Sequence, residues 1–321
     1  MPTTNLKELG NQPELLSGGH AACPGCVGPI ILRQAMLAAQ QDGKKVVSSI
    51  ATGCMEVTTT VYPNSAWRIP MVHSAFENSA ATISGAEAAY QSLKKQGKID
   101  DDIAFIAYGG DGGTYDIGLQ SLSGALERGH NFTYICYDNE AYMNTGIQRS
   151  GGTPKGASTN TAPAGKEAAG KAEVKKDLTA IAAAHGISYV AQASPHRARD
   201  FMGKVQKAVN TDGPAFICAL SPCPRGWRYE PQDSLELCQL ATDTCVWPIY
   251  EIENGVMTVN YKPRKGKKKP VREWLESQGR FKHLFQPKNE HFIEEIQQDI
   301  DEKWDDLLYR EKCDAARNED E

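Results

Sequence analysis

Four cysteines combine unequal spacing with flanking Gly or Pro, and their thiols are the clearest candidates for chemistry in the sequence. Cys23 and Cys26 form a Cys-Pro-Gly-Cys pair, Cys54 follows Thr-Gly, and Cys223 lies in Ser-Pro-Cys-Pro. Gly and Pro favour backbone turns, which can direct sulfur atoms from separate segments toward one inorganic centre. Four thiolates suit a [4Fe–4S] cluster, and they also suit a tetrahedral zinc ion.

The arrangement of the cysteines favours an iron–sulfur cluster over zinc. Cys54 and Cys223 each follow a predicted strand, so only one short pair is present, whereas structural zinc sites usually have paired knuckles. The sequence has nine cysteines and no export signal, which indicates reduced thiols rather than disulfides. The remaining cysteines are interpreted as structural; they are Cys136, Cys218, Cys238, Cys245 and Cys313.

A second candidate site is the glycine-rich turn Gly109–Gly113, which has Asp111 at its centre and follows a predicted strand. Consecutive glycines let the backbone approach phosphate oxygens, and the amides of a following helix attract the anion. Asp111, Asn139 and the carbonyl of Ala141 offer the hard oxygen ligands that Mg²⁺ prefers. A glycine turn alone could be an ordinary strand–helix connection. Together with Asn139 it resembles the magnesium motif of thiamine diphosphate enzymes.

Composition excludes several functional classes. The net charge of -5 argues against general affinity for nucleic acid. No apolar run is long enough to span a membrane and the N-terminus lacks an apolar stretch, so we expect a cytoplasmic protein without a membrane partner. The basic run 262–270 is interpreted as a solvated loop or a subunit contact.

Alternating hydrophobic periodicities predict an α/β fold, with a mostly parallel sheet and helices on both faces. The predicted strands are 45–51, 103–108, 132–137, 188–193 and 215–220, and the predicted helices are 28–41, 79–93, 116–127, 176–185 and 195–209. Segment 146–175 reads as an ordered loop over a ligand. We expect one main domain over residues 1–227. Residues 228–321 should form a C-terminal arm for subunit contacts, with a hairpin at 249–259 and a helix over 291–310.

Several motifs, in the same order along the chain, resemble the thiamine-binding beta subunits of the 2-oxoacid:ferredoxin oxidoreductases, in particular those that oxidise pyruvate. The resemblance runs from about residue 18 to 227 and implies their thiamine diphosphate-binding fold. The motifs are Gly19-His-Ala-Ala-Cys-Pro-Gly-Cys26, Thr52-Gly-Cys-Met-Glu56, the segment 67–78, Gly110-Asp-Gly-Gly-Thr-Tyr-Asp-Ile-Gly118, Asn144-Thr-Gly146 and Ser221-Pro-Cys223.

The resemblance implies a role for each matching residue. Cys23, Cys26, Cys54 and Cys223 would bind a proximal [4Fe–4S] cluster. Asp111 and Asn139, with the Ala141 carbonyl, would hold Mg²⁺ on the diphosphate, beside Gly110, Gly112, Gly113 and Cys54. Asn144 would lie near the thiazolium and the substrate. Asp116 and His73 would border the cofactor. Each of these three residues also has a structural alternative. Asn144 could cap a turn, Asp116 could cap a helix, and His73 could belong to a surface pair.

The resemblance also implies the reaction of pyruvate, coenzyme A and oxidised ferredoxin to acetyl-CoA, CO₂ and reduced ferredoxin. It implies separate alpha, gamma and delta-type subunits, the alpha subunit supplying the Glu that activates the aminopyrimidine. Another 2-oxoacid, such as oxalate, 2-oxoglutarate, a branched-chain or an aryl acid, is one alternative. A non-redox thiamine decarboxylase or synthase half with structural zinc is a second alternative. A zinc-stabilised interaction module that uses the basic run is a third.

Overall fold

A computed structural model describes residues 5–166, 168–264 and 267–319, whose strands form one sheet in the order β2-β1-β3-β4-β6-β5-β7-β8. The strands are β1 (Lys45–Ala51), β2 (Met71–Ser74), β3 (Ile103–Gly110), β4 (Thr133–Asp138), β5 (Tyr189–Ala193), β6 (Ala215–Leu220), β7 (Ile249–Glu253) and β8 (Val256–Tyr261). The helices are α1 (Leu6–Leu9), α2 (Gly28–Ala39), α3 (Cys54–Thr59), α4 (Ser79–Lys95), α5 (Leu119–Glu127), α6 (Leu178–Ala183), α7 (Ala198–Asn210), α8 (Ser234–Asp243), α9 (Val271–Glu276) and α10 (His291–Glu319).

The six strands β1 to β6 pair in parallel. Five of them were predicted, whereas β2, which is short and partly exposed, was not. Every residue of β4 and β6 is buried, because helices cover the sheet. Helix α4 packs on β1 and β3 and contacts α5, while α7 packs on β5 and β6 and contacts α2. The predicted α/β class with a mostly parallel sheet is confirmed.

The order of the strands reverses at β1, which has β2 on one side and β3 on the other. In open α/β sheets such a reversal opens a crevice beyond the carboxyl ends of the two strands, and ligands bind there. Cys54 lies just beyond the end of β1 and Asp111 just beyond the end of β3. The topology therefore brings both predicted sites to one edge of the sheet.

The turn after β3 is π-helical over Gly112–Ile117, and the α-helix begins only at Leu119. Gly118 N–H donates to the Gly113 carbonyl at 2.7 Å, five residues back. The helix was predicted to begin at Asp116, which is three residues before its observed start at Leu119. Single π-turns occur often at functional sites, because they widen the backbone locally.

The C-terminal residues extend the sheet. β7 pairs antiparallel with β5, and β8 pairs with β7 around the predicted Asn254-Gly255 turn, where both residues have positive φ. Helix α10 was predicted to end at residue 310 but continues to Glu319. Its longer course lets Glu311 and Asp314 accept hydrogen bonds from backbone N–H groups of edge strand β8.

Three of the five described basic side chains in the run 262–270 form ion pairs within the chain. Lys262 pairs with Glu311 at 2.5 Å, Lys268 pairs with Asp301, and Lys269 lies 3.4 Å from Glu273. Residues 265 and 266 of this run lie outside the described part of the chain. Across the described residues, none of the helices has both the length and the apolar character needed to cross a membrane.

Candidate active site

The predicted magnesium ligands converge after strands β3 and β4. Asp111 is 1% exposed and Asn139 is 7% exposed, and the Asn139 backbone N–H donates to Asp111 Oδ1 at 3.3 Å. With its amide nitrogen turned inward, the Asn139 side chain donates to Asp111 Oδ1 and to the Ala141 carbonyl, each at 2.8 Å. The three predicted ligand groups therefore lie together. In the opposite orientation of the Asn139 amide, its oxygen, an Asp111 oxygen and the Ala141 carbonyl would be available to a cation.

The electrostatics of this point also suit a cation. Burial raises the pKa of Asp111 well above its ordinary value, and the nearby Asp138 raises it further. A buried carboxylate beside another acid is costly unless a cation or donors compensate it. Part of that compensation comes from Ser150, whose hydroxyl donates to Asp111 Oδ2. A divalent cation would supply the rest, so the residues present fit Mg²⁺.

Backbone close to the candidate diphosphate site leaves no room for side chains. A Cβ on Gly112 would lie 2.4 Å from the Tyr142 ring, and one on Gly113 would lie 2.9 Å from the Phe76 carbonyl. A Cβ on Gly53 would approach the Tyr137 hydroxyl to 2.6 Å. Glycine at these positions keeps backbone amides accessible, which is what a closely bound phosphate requires.

These residues line one narrow cleft, which lies between the ends of β1 and β3. The lining contains residues from the glycine turn, from the segment after β4 and from the segment after β1. The lining residues are Thr52, Gly53, Cys54, Phe76, Gly110, Asp111, Gly112, Gly113, Tyr137, Asn139, Ala141, Tyr142, Met143, Asn144 and Thr145.

Segment 146–175 contains no helix or strand among its described residues, as predicted for an ordered loop, and it is fastened to the acidic residues of the site. Besides the Ser150 contact, Thr153 Oγ1 donates to the Glu140 carbonyl at 2.7 Å. Lys175 Nζ lies 2.7 Å from Asp138 Oδ2 and 2.9 Å from Glu140 Oε1. The loop thus contacts Asp111, a predicted metal ligand, and the acidic residues beside Asn139.

The four predicted cluster cysteines lie close enough for their charges to affect one another. Burial raises the pKa of Cys54, and Cys223, Cys26, Asp111 and Cys23 raise it further through their charges. Burial raises the pKa of Cys26 to about 12. Thiols in this state are protonated at neutral pH in the metal-free chain, so binding of a metal centre would displace their protons.

Local backbone places each of these cysteines beside a turn or at the start of a helical segment. Gly25 has a φ of +72° and lies against Pro231, so that Cys23 and Cys26 stand on a tight turn. Cys54 begins α3, and the Cys223 thiol accepts a hydrogen bond from Gly226 N–H at 3.4 Å.

The described residues contain no group of three or more His, Cys, Asp or Glu side chains placed to hold a single metal ion. The four thiols are therefore not arranged around a single ion. Four cysteine thiolates are, however, the usual ligands of a [4Fe–4S] cluster. Cys54 is the residue common to both sites, because it also lines the cleft.

The other predicted site residues differ in position. Asn144 is exposed and lines the cleft. His73 is half-exposed at the end of β2; its ring lies 3.1 Å from Glu56 and 3.3 Å from Thr52, which lines the cleft. Asp116 lies outside the cleft lining. Its carboxylate accepts from Gly151 N–H and pairs with Lys176, each at 2.8 Å. Asp116 does not cap a helix, because Gly118 occupies the N-cap of α5.

Sequence reasoning missed the supporting residues of the site. Tyr137 lies between Gly53 and Gly110, and Ser150 contacts Asp111 from the loop. Glu140 pairs with Arg280, which is far away along the chain. No motif marks Ser150 or Arg280. The position of Glu140 between two predicted ligands was the only available signal.

Comparison with known proteins agrees with this geometry. Residues 51–219 match the family model described as thiamine pyrophosphate enzyme, C-terminal TPP binding domain. A solved 2-oxoglutarate:ferredoxin oxidoreductase from Magnetococcus marinus aligns with 74% of this chain and 81% of its own, with a TM-score of 0.56. At 20% identity this structural likeness shows the fold alone. The fold and the matched family define a thiamine diphosphate-dependent enzyme.

Curated relatives narrow the class. Pyruvate synthase subunit PorB of Thermotoga maritima is 50% identical, over 96% of this chain and 97% of the relative. PorB of Methanocaldococcus jannaschii is 53% identical over 90% of this chain and 95% of the relative. Ketoisovalerate oxidoreductase subunit VorB of Pyrococcus furiosus is 43% identical over 94% of this chain and 96% of the relative. The chain belongs to this family of 2-oxoacid oxidoreductase subunits and is part of an oxidoreductase.

Proposed function

We propose that this chain is the thiamine diphosphate-binding subunit of a cytoplasmic pyruvate:ferredoxin oxidoreductase and that it carries a [4Fe–4S] cluster beside the coenzyme. The overall reaction would convert pyruvate, coenzyme A and oxidised ferredoxin to acetyl-CoA, CO₂ and reduced ferredoxin. The observation that carries the proposal is Cys54, because one residue belongs both to the cleft lining and to the group of four thiols.

The residues around the cleft would divide the work of binding. The Gly110–Gly113 backbone would approach the diphosphate, and Asp111, Asn139 and the Ala141 carbonyl would hold its Mg²⁺. When bound, thiamine diphosphate supplies an electron sink for the decarboxylation of a 2-oxoacid. Asn144 is exposed and lines the cleft, and it would contact the substrate.

An iron–sulfur cluster suits the proposed reaction better than zinc does. Oxidative decarboxylation requires an acceptor for electrons, and zinc does not change its oxidation state. The four cysteines adjoin the cleft at Cys54, so a cluster held by them would lie next to the coenzyme. A cluster at this position would be the first electron acceptor after decarboxylation.

Activity should require partner subunits. Five apolar side chains are exposed in β2 or in the segments that follow β1 and β3, and Tyr62 is 94% exposed. Exposed apolar side chains commonly mark a protein interface where they form a continuous surface. They are Val57, Val61, Tyr62, Val72 and Ile117. We propose that an alpha-type subunit covers this region and contributes the carboxylate for the aminopyrimidine, while gamma and delta-type subunits pass electrons to ferredoxin.

The test is 2-oxoacid-dependent reduction of a viologen dye by the anaerobically purified complex. We expect pyruvate with coenzyme A to give the highest kcat/KM, because the PorB relatives described above are more similar to this chain than the VorB relative is. A preference for 2-oxoisovalerate would instead assign the branched-chain activity. Thiamine-dependent decarboxylation without dye reduction would contradict the redox function.

A further inference from the structure

Glu140, the residue between the predicted ligands Asn139 and Ala141, has a conformation that a side chain normally avoids. Its φ is +68°, in the left-handed region that favours glycine. This conformation accompanies a turn in which the Asn139 side chain reaches both Asp111 and the Ala141 carbonyl. Strained backbone of this kind persists only where surrounding contacts fix it. The contacts around the Glu140 side chain must therefore hold this conformation.

Both oxygens of the Glu140 carboxylate are held by cations, of which Arg280 is buried and Lys175 is partly buried. Arg280 Nη2 lies 2.5 Å from Oε2, and Lys175 Nζ lies 2.9 Å from Oε1. The Arg280 and Glu140 side chains are 3% and 1% exposed. A buried ion pair of this kind is sensitive to the loss of either partner, because the remaining charge is left without compensation.

Arg280 also acts on the other side of the same turn. Its guanidinium lies 3.9 Å from the centre of the Trp227 ring, and Trp227 Nε1–H donates to the Asn139 carbonyl at 2.8 Å. Arg280 Nε donates in turn to Gln278 at 2.9 Å, which fixes the direction of the guanidinium. One side chain therefore supports Asn139 through the indole and Glu140 through the ion pair.

We propose that Arg280, in the C-terminal arm, is a positioning residue that holds the Asn139–Ala141 turn in its metal-binding conformation. This inference rests on the proposed function, since it assigns the turn to Mg²⁺ on thiamine diphosphate. It gives the residues after 227 a role inside the subunit, in addition to the subunit contacts predicted for them. Arg280 touches neither metal nor coenzyme in this scheme and acts through Glu140 and Trp227.

The experiment measures how much Mg²⁺ the assembled complex needs to bind thiamine diphosphate, by equilibrium dialysis over a Mg²⁺ series. We expect Arg280→Gln to raise the half-saturating Mg²⁺ concentration at least tenfold. Hydrogen exchange of the 139–146 amides should become faster in the same variant. Arg280→Lys keeps the charge but not the planar fork, and should recover part of the affinity. The matched control is Arg272→Gln, which breaks the exposed pair with Glu290 and should leave both readouts unchanged.

A second variant separates the ion pair from the backbone preference. Glu140→Gly relieves the strain at positive φ but removes the carboxylate, so the inference predicts a raised Mg²⁺ requirement, and a wild-type requirement would overturn it. This variant also decides the question if Arg280→Gln does not assemble. A folded Arg280→Gln complex with wild-type Mg²⁺ dependence would overturn the inference and leave the proposed function intact. A wild-type complex that binds no thiamine diphosphate with Mg²⁺ would overturn both.

Discussion

The two candidate sites lie side by side, but they are built differently. The predicted magnesium site, formed by Asp111, Asn139 and Ala141, is called the metal turn. Here Asp111 and Asn139 are buried and lie within hydrogen-bonding distance of each other, with further contacts from the loop and the C-terminal arm. At the thiol site, Cys23 is exposed and the cysteines come from separate segments of irregular or short helical structure. The metal turn is assembled by the fold itself. The thiol site has its donors nearby, but its final geometry would depend on the group that it binds.

This difference has a physical reason. The ends of adjacent parallel strands are fixed by the ladder of hydrogen bonds, and β3 and β4 pair directly, so Asp111 and Asn139 start from fixed positions. The Cys23–Cys26 turn precedes α2 and is attached by a few contacts, such as Ala21 N–H to Thr58 O at 2.8 Å and Ser234 Oγ–H to Gly25 O at 2.6 Å. Removing the bound group should therefore loosen one site and not the other.

The largest effect should follow from Cys54→Ser. Loss of one of four thiolate ligands should remove the cluster, and with it pyruvate-dependent dye reduction, by about a thousandfold or more. Thiamine diphosphate binding should fall much less, because Asp111 and the glycine turn remain. Cys313→Ser in α10 is the matched control and should retain full activity. Equal loss of coenzyme and cluster would show that the two sites are not separable.

Asp111→Asn should produce the converse result. The substitution removes a charged ligand while the amide keeps its shape, so we expect about a hundredfold weaker Mg²⁺-dependent binding of thiamine diphosphate. The iron content per chain should remain that of the wild type, as measured by colorimetric iron analysis. Normal coenzyme binding in this variant would remove Asp111 from the proposed ligand set.

Ser150→Ala tests the support behind the metal turn. The hydroxyl donates to Asp111 Oδ2 and is fully buried, so its removal leaves a carboxylate oxygen without that donor. We expect about a tenfold higher Mg²⁺ requirement, since partners of metal ligands commonly contribute on that scale. Thermal unfolding serves as the control for folding. An unchanged Mg²⁺ requirement would mean that Asp111 is oriented without the loop.

The smallest effect concerns dynamics after the iron is removed. Chelation of the anaerobic complex should speed hydrogen exchange of the amides between residues 20 and 26 by roughly severalfold, because local unfolding rises where a bound group had supplied the contacts. Exchange at 110–113 and 138–141 should remain close to its original rate. Uniform loosening at both sites would contradict the contrast between them.

Much of the fold followed from the sequence, because strands of parallel sheets carry continuous apolar runs. Strands β1 and β6 have the predicted bounds, and the glycine turn and Asn139 lie together as their positions after neighbouring strands imply. The supporting residues could not be predicted. Arg280 reaches Glu140 across 140 positions of sequence, and the strained φ of Glu140 leaves no trace in composition or periodicity. The π-turn was missed because glycine marks a turn without specifying its type.

We propose that one polypeptide holds an electron-accepting cluster beside a thiamine diphosphate site. The decisive measurement is iron, zinc and acid-labile sulfide analysis of the anaerobically purified chain. We expect about four iron atoms and about four sulfides per chain, both lost in Cys54→Ser. A colourless chain with one zinc ion and no sulfide would contradict it.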